Sequence, residues 1–200
     1  MYIPKAFKIR DEQFNHEIIN DYGFATLFSQ HNGEPYATHI PLMLSEDKTY
    51  LYGHFSVANH QWKDIEGQTV LAVFQGPHSY ISSSWYETNR SVPTWNYISV
   101  HVSGLIEMIG GRELKESLSR LVNKYEAPDS AYQLDEVDDR YLKAMRTAIK
   151  GFRIKISKIE GKAKLSQNHS EERRSGVIEK LEASKKEDER KIAAYMKELM

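Results

Sequence analysis

The chain contains no cysteine among its 200 residues. Disulfide bonds, thiolate catalysis and cysteine-ligated zinc are therefore excluded, and the composition is compatible with a reducing compartment. No window approaches the ~20 consecutive apolar residues of a membrane-spanning helix, and the first residues lack the apolar core of a signal peptide. We therefore expect no membrane attachment.

Motifs of several large enzyme classes are missing as well. The sequence has no Gly-x-Gly-x-x-Gly fingerprint, no Walker loop, no His-Glu-x-x-His metal motif and no Gly-x-Ser-x-Gly nucleophile turn. No serine has an evident base and acid partner, so the sequence predicts no catalytic triad. We assign no catalytic residue and no metal-ligand set.

Charge is distributed unevenly although the net charge is only −1. Residues 1–149 carry 13 Lys and Arg against 19 Asp and Glu, whereas residues 150–200 carry 14 against 9. A basic C-terminal region can contact DNA. A solvated helical face with mixed charge pairs has the same composition, so both interpretations stay open.

The first hundred residues have the pattern of short strands. Apolar or alternating runs separated by turn residues predict strands at residues 22–29, 36–44, 49–55, 68–75 and 97–109. Many strands joined by short turns indicate an antiparallel barrel or sandwich. Other periodicities predict helices at 57–65, 111–125, 137–149 and 170–200, and a late strand at 152–159. A capping-box pattern that begins at Ser184 predicts that the last of these helices is divided in two. We predict a globular domain at residues 1–165 and a charged helical extension at 166–200.

Residues 73–97 combine a predicted Gly-Pro turn at Gly76 and Pro77, several serine hydroxyls and large aromatic rings. A flat, phosphorylated ligand needs hydroxyl donors beside aromatic faces. We expect hydrogen bonds from Ser82, Ser83 and Ser84, and stacking from Trp85 and Trp95. Aromatic loops interleaved across a dimer would have the same composition, and the two interpretations are compatible.

A second ligand-binding segment follows the strand at 49–55. Backbone N–H groups at the predicted helix start, with the side chains of Ser56 and Asn59, would form a phosphate cradle, and Trp62 would stack. The alternative is that Ser56 only caps the helix and Trp62 packs inward. The sequence does not decide between them.

Three histidines, His39, His54 and His101, fall on predicted strands beside hydroxyl or aromatic neighbours. They could line the polar side of a ligand pocket. A haem ligand is an alternative because one histidine can suffice, whereas no carboxylate-rich set completes a metal site.

Six segments match, in order, the motifs of a known family: residues 37–42 (ATHIPL), 53–54 with 58–62 (GH and ANHQW), 74–86, 92–97 (VPTWNY), 100–102 (VHV) and 159–168 (IEGKAKLSQN). The chain resembles PaiB over about residues 1–182. That bacterial family is described as FMN-binding negative transcriptional regulators of protease synthesis and sporulation.

The resemblance implies an α+β, mainly β fold: an antiparallel split β-barrel of the FMN-binding type with peripheral helices. It also implies a cytoplasmic homodimer that represses genes for degradative enzymes and sporulation, with pockets between subunits. In other split-barrel flavoproteins a basic residue in the segment matching 56–63 commonly holds the phosphate, which here points to Lys63. The expected cofactor is FMN, and possible DNA contact is assigned to the basic C-terminal region.

Other functions are open at this stage. An FMN-dependent oxidoreductase of the same fold is the second hypothesis, since the cofactor would carry the redox chemistry. A haem-binding or haem-degrading protein is the third, and a dimeric structural module with a decayed pocket is the fourth. The fold alone does not choose among them.

Overall fold

The computed structural model describes residues 1–88, 90–132 and 137–198. Within them lie seven strands, Phe24–His31 (β1), Glu34–Pro41 (β2), Met43–Leu44 (β3), Tyr50–Ser56 (β4), Thr69–Ile81 (β5), Thr94–Ile109 (β6) and Ile149–Lys164 (β7). The helices in the same ranges are Glu12–Asp21 (α1), Gly111–Tyr125 (α2), Asp139–Thr147 (α3), Glu171–Glu182 (α4) and Glu187–Glu198 (α5).

The strands form one sheet in the order β2-β1-β5-β6-β7-β4-β3. The pairs β1–β2, β1–β5, β3–β4 and β4–β7 are antiparallel. Asn32 and Gly33, with φ of 52° and 80°, form the tight turn between β1 and β2. Both angles lie in the left-handed region that such hairpin turns require. The predicted antiparallel α+β class is confirmed.

The chain forms two compact units, and β5, β6 and β7 each contribute residues to both. Unit 2 contains residues 19–73 and 102–159. Its buried side chains alternate along the strands, as period-2 packing requires. The largest fully buried side chains of this unit are Ile19, Leu27, Leu42, Leu51, Phe55, Ile65, Ile106 and Phe152. The rings of Phe55 and Phe152 lie 4.6 Å apart at their centroids.

Unit 1 contains residues 1–18, 74–101 and 160–200. Helices α4 and α5 bury one apolar face each within it, through Val177, Ile178, Leu181, Ile192, Ala193 and Met196. Phe14 of α1 meets Tyr195 of α5 edge-on at 5.6 Å. The predicted domain boundary between residues 165 and 166 stays a prediction.

Several element boundaries differ from those predicted. Strand β5 continues through Gly76 and Pro77, which were expected to form a turn; both are buried there, so the regular alternation shifts at this point. The predicted helix at 57–65 is reduced to a 3-10 turn at His60–Lys63. The C-terminal helical region, by contrast, is divided near Ser184 as predicted, and its last residues, Leu199 and Met200, lie outside the described residues. No helix in the described ranges is long and apolar enough to cross a membrane.

Candidate functional site

The turn after β4 is held by its own polar side chains. Ser56 Oγ accepts a hydrogen bond from Ala58 N at 3.2 Å. Asn59 Oδ1 accepts from Gln61 N at 3.0 Å and so caps the 3-10 turn. Ser56 therefore does not cap the 3-10 turn, which Asn59 caps, but closes a short turn just before it, and its exposed hydroxyl keeps a proton to donate.

A part-buried polar network fixes this turn to β1 and β2. Asn59 Nδ2 donates to Thr38 Oγ1 at 2.9 Å, and Thr38 Oγ1 donates to Gln61 Oε1 at 2.6 Å. Gln61, which is fully buried, donates to Ser29 Oγ at 2.8 Å. A satisfied network of this kind specifies one conformation. The sequence prediction missed Thr38 and Gln61, although both lie inside quoted motifs.

Two lysines supply positive charge at the turn. Lys63 is exposed at its end. Lys150 lies opposite Phe55 in the β4–β7 register, and its ammonium sits 4.8 Å from the centroid of the Trp62 ring. Trp62 uses its indole N–H internally, donating to the Val57 carbonyl at 2.9 Å. The sequence prediction assigned Lys63 and missed Lys150.

One face of β1, β2 and β5 is apolar and exposed within unit 2. Phe24 is 67% exposed and Phe28 is 40% exposed. Thr26, between them, is paired with His39 on one side and Val73 on the other, and paired residues point to the same face. The His39 ring stacks on Phe24 with centroids 6.3 Å apart. His39 therefore lies on an aromatic surface that can receive a partner or a flat ring.

The residues of unit 2 fit the FMN that the family resemblance implies. A flavin phosphate requires cationic and hydroxyl donors, which Lys63, Lys150 and Ser56 supply. Two ammonium groups at one turn have no carboxylate hydrogen-bonded to them in the described chain, so a dianion would complement them. Exposed apolar side chains are available for the ring system.

The other predicted histidines lie in different surroundings. His54 lines a small crevice with Ser117, Leu118 and Leu121 of α2, and burial lowers its pKa. Burial also lowers the pKa of His101, and the Met1 ammonium lowers it further. Both rings are thus favoured in their neutral form near pH 7.

The predicted residues of the central segment lie in unit 1. Ser82 caps a 3-10 turn formed by Ser83, Ser84 and Trp85, and the Ser82 and Ser84 hydroxyls lie 2.8 Å apart. This turn packs on α4, where a methyl group added at Gly176 would lie 3.5 Å from the Trp85 carbonyl oxygen.

Trp95 is 54% exposed on β6. Its ring contacts His78 at 6.0 Å and Tyr80 at 5.9 Å. Among the described residues, no group of three or more His, Asp or Glu could hold a metal ion. The assignment of the twelve predicted residues to a cofactor stays a prediction.

The basic C-terminal region owes its charge to β7. Residues 166–200 carry eight Lys and Arg and eight Asp and Glu, whereas residues 150–164 carry six basic residues and one acid. Several helix charges are paired, such as Lys191 with Glu187 at 2.7 Å. On β7, Lys155 and Lys158 are exposed.

Comparison with known proteins identifies a matching family and a similar protein of known name. A family described as "Putative FMN-binding domain" matches residues 1–158. "Protease synthase and sporulation protein PAI 2" of Bacillus subtilis is 38% identical over 202 residues, which cover 99% of this chain and 97% of that protein.

Two solved structures share the fold. The flavocytochrome Anf3 of Azotobacter vinelandii has a TM-score of 0.64 and 18% identity, over 81% of this chain and 72% of that one. An FAD and heme binding protein of Mycobacterium smegmatis has a TM-score of 0.62 and 15% identity, over 78% and 73%. With the sheet described above, they confirm the predicted split-barrel fold.

Proposed function

We propose that this chain, which belongs to the PaiB family of proteins with an FMN-binding domain, is a negative transcriptional regulator of protease synthesis and sporulation that binds FMN. The regulatory part is supported by similarity to PAI 2 along almost the whole chain. The flavin part is supported by one observation. Two lysines lie at the capped turn after β4: Lys63 ends the turn, and the Lys150 ammonium lies over the Trp62 ring. We place the protein in the cytoplasm, where its target genes are.

In this proposal Ser56, Lys63 and Lys150 hold the phosphate, and Thr38, Asn59 and Gln61 keep the turn in place. A preorganised turn binds more tightly because little ordering is required on association. Bound FMN would supply a redox-active ring, which could report the state of the cell to the regulator. The chain's own residues bind and orient that ring.

Dimer formation is the second part of the proposal, and the exposed face of β1, β2 and β5 supports it. A sheet face with Phe24 and Phe28 exposed is costly in water, and burying it against a second copy would remove that cost. We expect the protein to be dimeric by light scattering and Phe24→Glu to shift it toward monomer. As a matched control, Tyr141→Glu on α3, where Tyr141 is 58% exposed, should remain dimeric. A monomeric parent protein would contradict this part.

The regulatory proposal is tested by binding to promoter DNA of a protease gene from the source organism. Direct contact would use the exposed lysines of β7, so the combined change Lys155→Gln and Lys158→Gln should reduce the slope of log affinity against log salt by about 2. Fluorescence anisotropy with and without FMN measures this slope. Affinity for the promoter no higher than for random duplex would eliminate direct repression and leave flavin binding untouched.

A further inference from the structure

Unit 1 contains a cleft of about 700 Å³ between the loop that precedes β6 and the turn that follows β7. Its volume is within the range of small-molecule sites. Its lining side chains include Phe7, Tyr86, Arg90, Val92, Lys164 and His169. None of them belongs to the set that we assign to FMN.

The charge of this cleft is positive. Lys164 and Arg90 contribute ammonium and guanidinium groups, and no acidic residue lines it within the described chain. Lys164 donates to Thr94 Oγ1 and to the Trp95 carbonyl oxygen, the latter at 2.6 Å, which leaves one of its three N–H bonds available. Burial lowers the pKa of Lys164, and an anion beside it would offset that cost.

Tyr86 lines the cleft and carries a donor that the described residues do not use. Its hydroxyl is buried and has no hydrogen-bond partner within the described part of the chain. Burial raises the pKa of Tyr86, so the hydroxyl keeps its proton. An unpaired buried hydroxyl costs about 1–3 kcal/mol, and a ligand oxygen that accepts from it would remove this cost.

Residues outside the cleft fix the position of the side chains that line it. Arg173 lies 4.8 Å from the centroid of the Tyr86 ring and is itself paired with Glu87, so it positions the ring without adding free charge. Asn96 donates to Ser166 Oγ at 3.1 Å and to Met196 Sδ at 3.6 Å, which anchors the turn after β7 to α5. Such support is what a preformed site requires.

We propose that this cleft is a second binding site, for a small organic oxyanion, a carboxylate or a phosphate monoester, that carries an apolar or aromatic body. Lys164 and Arg90 hold the anionic group and the Tyr86 hydroxyl donates to one of its oxygens. Phe7 and Val92 contact the apolar body. The His169 ring, 5.8 Å from the Tyr86 ring, lies at the same wall. Burial, Arg173 and Lys164 lower the pKa of His169, so this ring is neutral and serves as a polar wall.

The test uses four probes in calorimetric titrations of the full chain: phenyl phosphate, benzoate, inorganic phosphate and the uncharged benzyl alcohol. We expect the two aromatic anions to bind, inorganic phosphate to bind more weakly and benzyl alcohol not to bind. Lys164→Gln should lower the affinity for phenyl phosphate about tenfold, because a charge-assisted hydrogen bond to the anion is lost. The glutamine side-chain amide can still donate to Thr94, so the local structure is kept. Tyr86→Phe should weaken it about threefold or more by removing one hydrogen bond.

Matched controls are Lys155→Gln and Tyr141→Phe, which remove the same groups from exposed positions of unit 2. They should bind phenyl phosphate as the parent does. Equal weakening by the controls, no binding of any anion at millimolar concentration, or loss of phenyl phosphate binding in the double variant Lys63→Gln and Lys150→Gln would each overturn the proposal. The double variant Lys63→Gln and Lys150→Gln should keep phenyl phosphate binding, so failure of the FMN assignment can be recognised separately.

Discussion

Replacing both Lys63 and Lys150 by glutamine is expected to weaken FMN binding about a hundredfold. Each lysine would lose a charge-assisted interaction with the flavin phosphate, and such interactions contribute about 1.5–3 kcal/mol each. Two of them correspond to roughly two orders of magnitude in the dissociation constant. Quenching of flavin fluorescence on titration with protein measures the change. The single variants should each show about a tenfold loss.

The control for this experiment removes two positive charges elsewhere in unit 2. Lys143→Gln with Lys155→Gln changes the net charge equally, at exposed positions on α3 and β7. Its FMN affinity should equal that of the parent within about twofold, since exposed charges are screened by salt. If the two double variants lose affinity to the same extent, long-range charge and not the capped turn would explain the effect.

Replacing Phe152 by alanine is expected to lower the free energy of unfolding by about 3–5 kcal/mol, the usual cost of removing a buried ring. Phe152 is fully buried and its ring contacts that of Phe55. It is also closely enclosed, because a methyl group added at Gly53 would lie 2.6 Å from Phe152 Cζ. Chemical denaturation measures the loss.

The conservative variant Phe152→Leu keeps most of the volume and should cost less, up to about 2 kcal/mol. Exposed Tyr141→Ala is the matched surface control, with an expected change within about 0.5 kcal/mol. A loss below about 1 kcal/mol for Phe152→Ala would show that the cavity closes or that the ring is not packed as described.

Strand positions were predictable where one face is buried and the other is not. In β6, Ile98, Val100 and Val102 are buried and His101 is half-buried, as the alternation predicted, whereas Ser99 of the polar face is also buried and donates to the Phe74 carbonyl. The extent of β5 was not predictable, because Gly76 and Pro77 have the composition of a turn. Proline interrupts a central strand only where a neighbouring strand needs its backbone N–H as a hydrogen-bond donor, and the composition around Pro77 does not reveal whether that is so.

The candidate site was only partly predictable for a different reason. Ser56, Asn59 and Lys63 follow one another closely, so a local pattern could bring them together. Lys150 reaches the turn through the register of two strands about ninety residues apart in sequence, which no local pattern encodes. The histidines show that a shared residue type does not imply a shared site. His54 and His39 were both predicted to line the ligand pocket, yet His54 faces α2.

The way the backbone passes between the two units has a consequence for dissecting the protein. The chain moves from one unit to the other near residues 18, 73, 101 and 159, three of these within the strands β5, β6 and β7. Each unit therefore consists of segments that are not contiguous in the sequence, and no single gene fragment encodes either unit alone. Truncation from either end would remove part of a core rather than a whole module, so activities are better separated by point substitutions than by deletion.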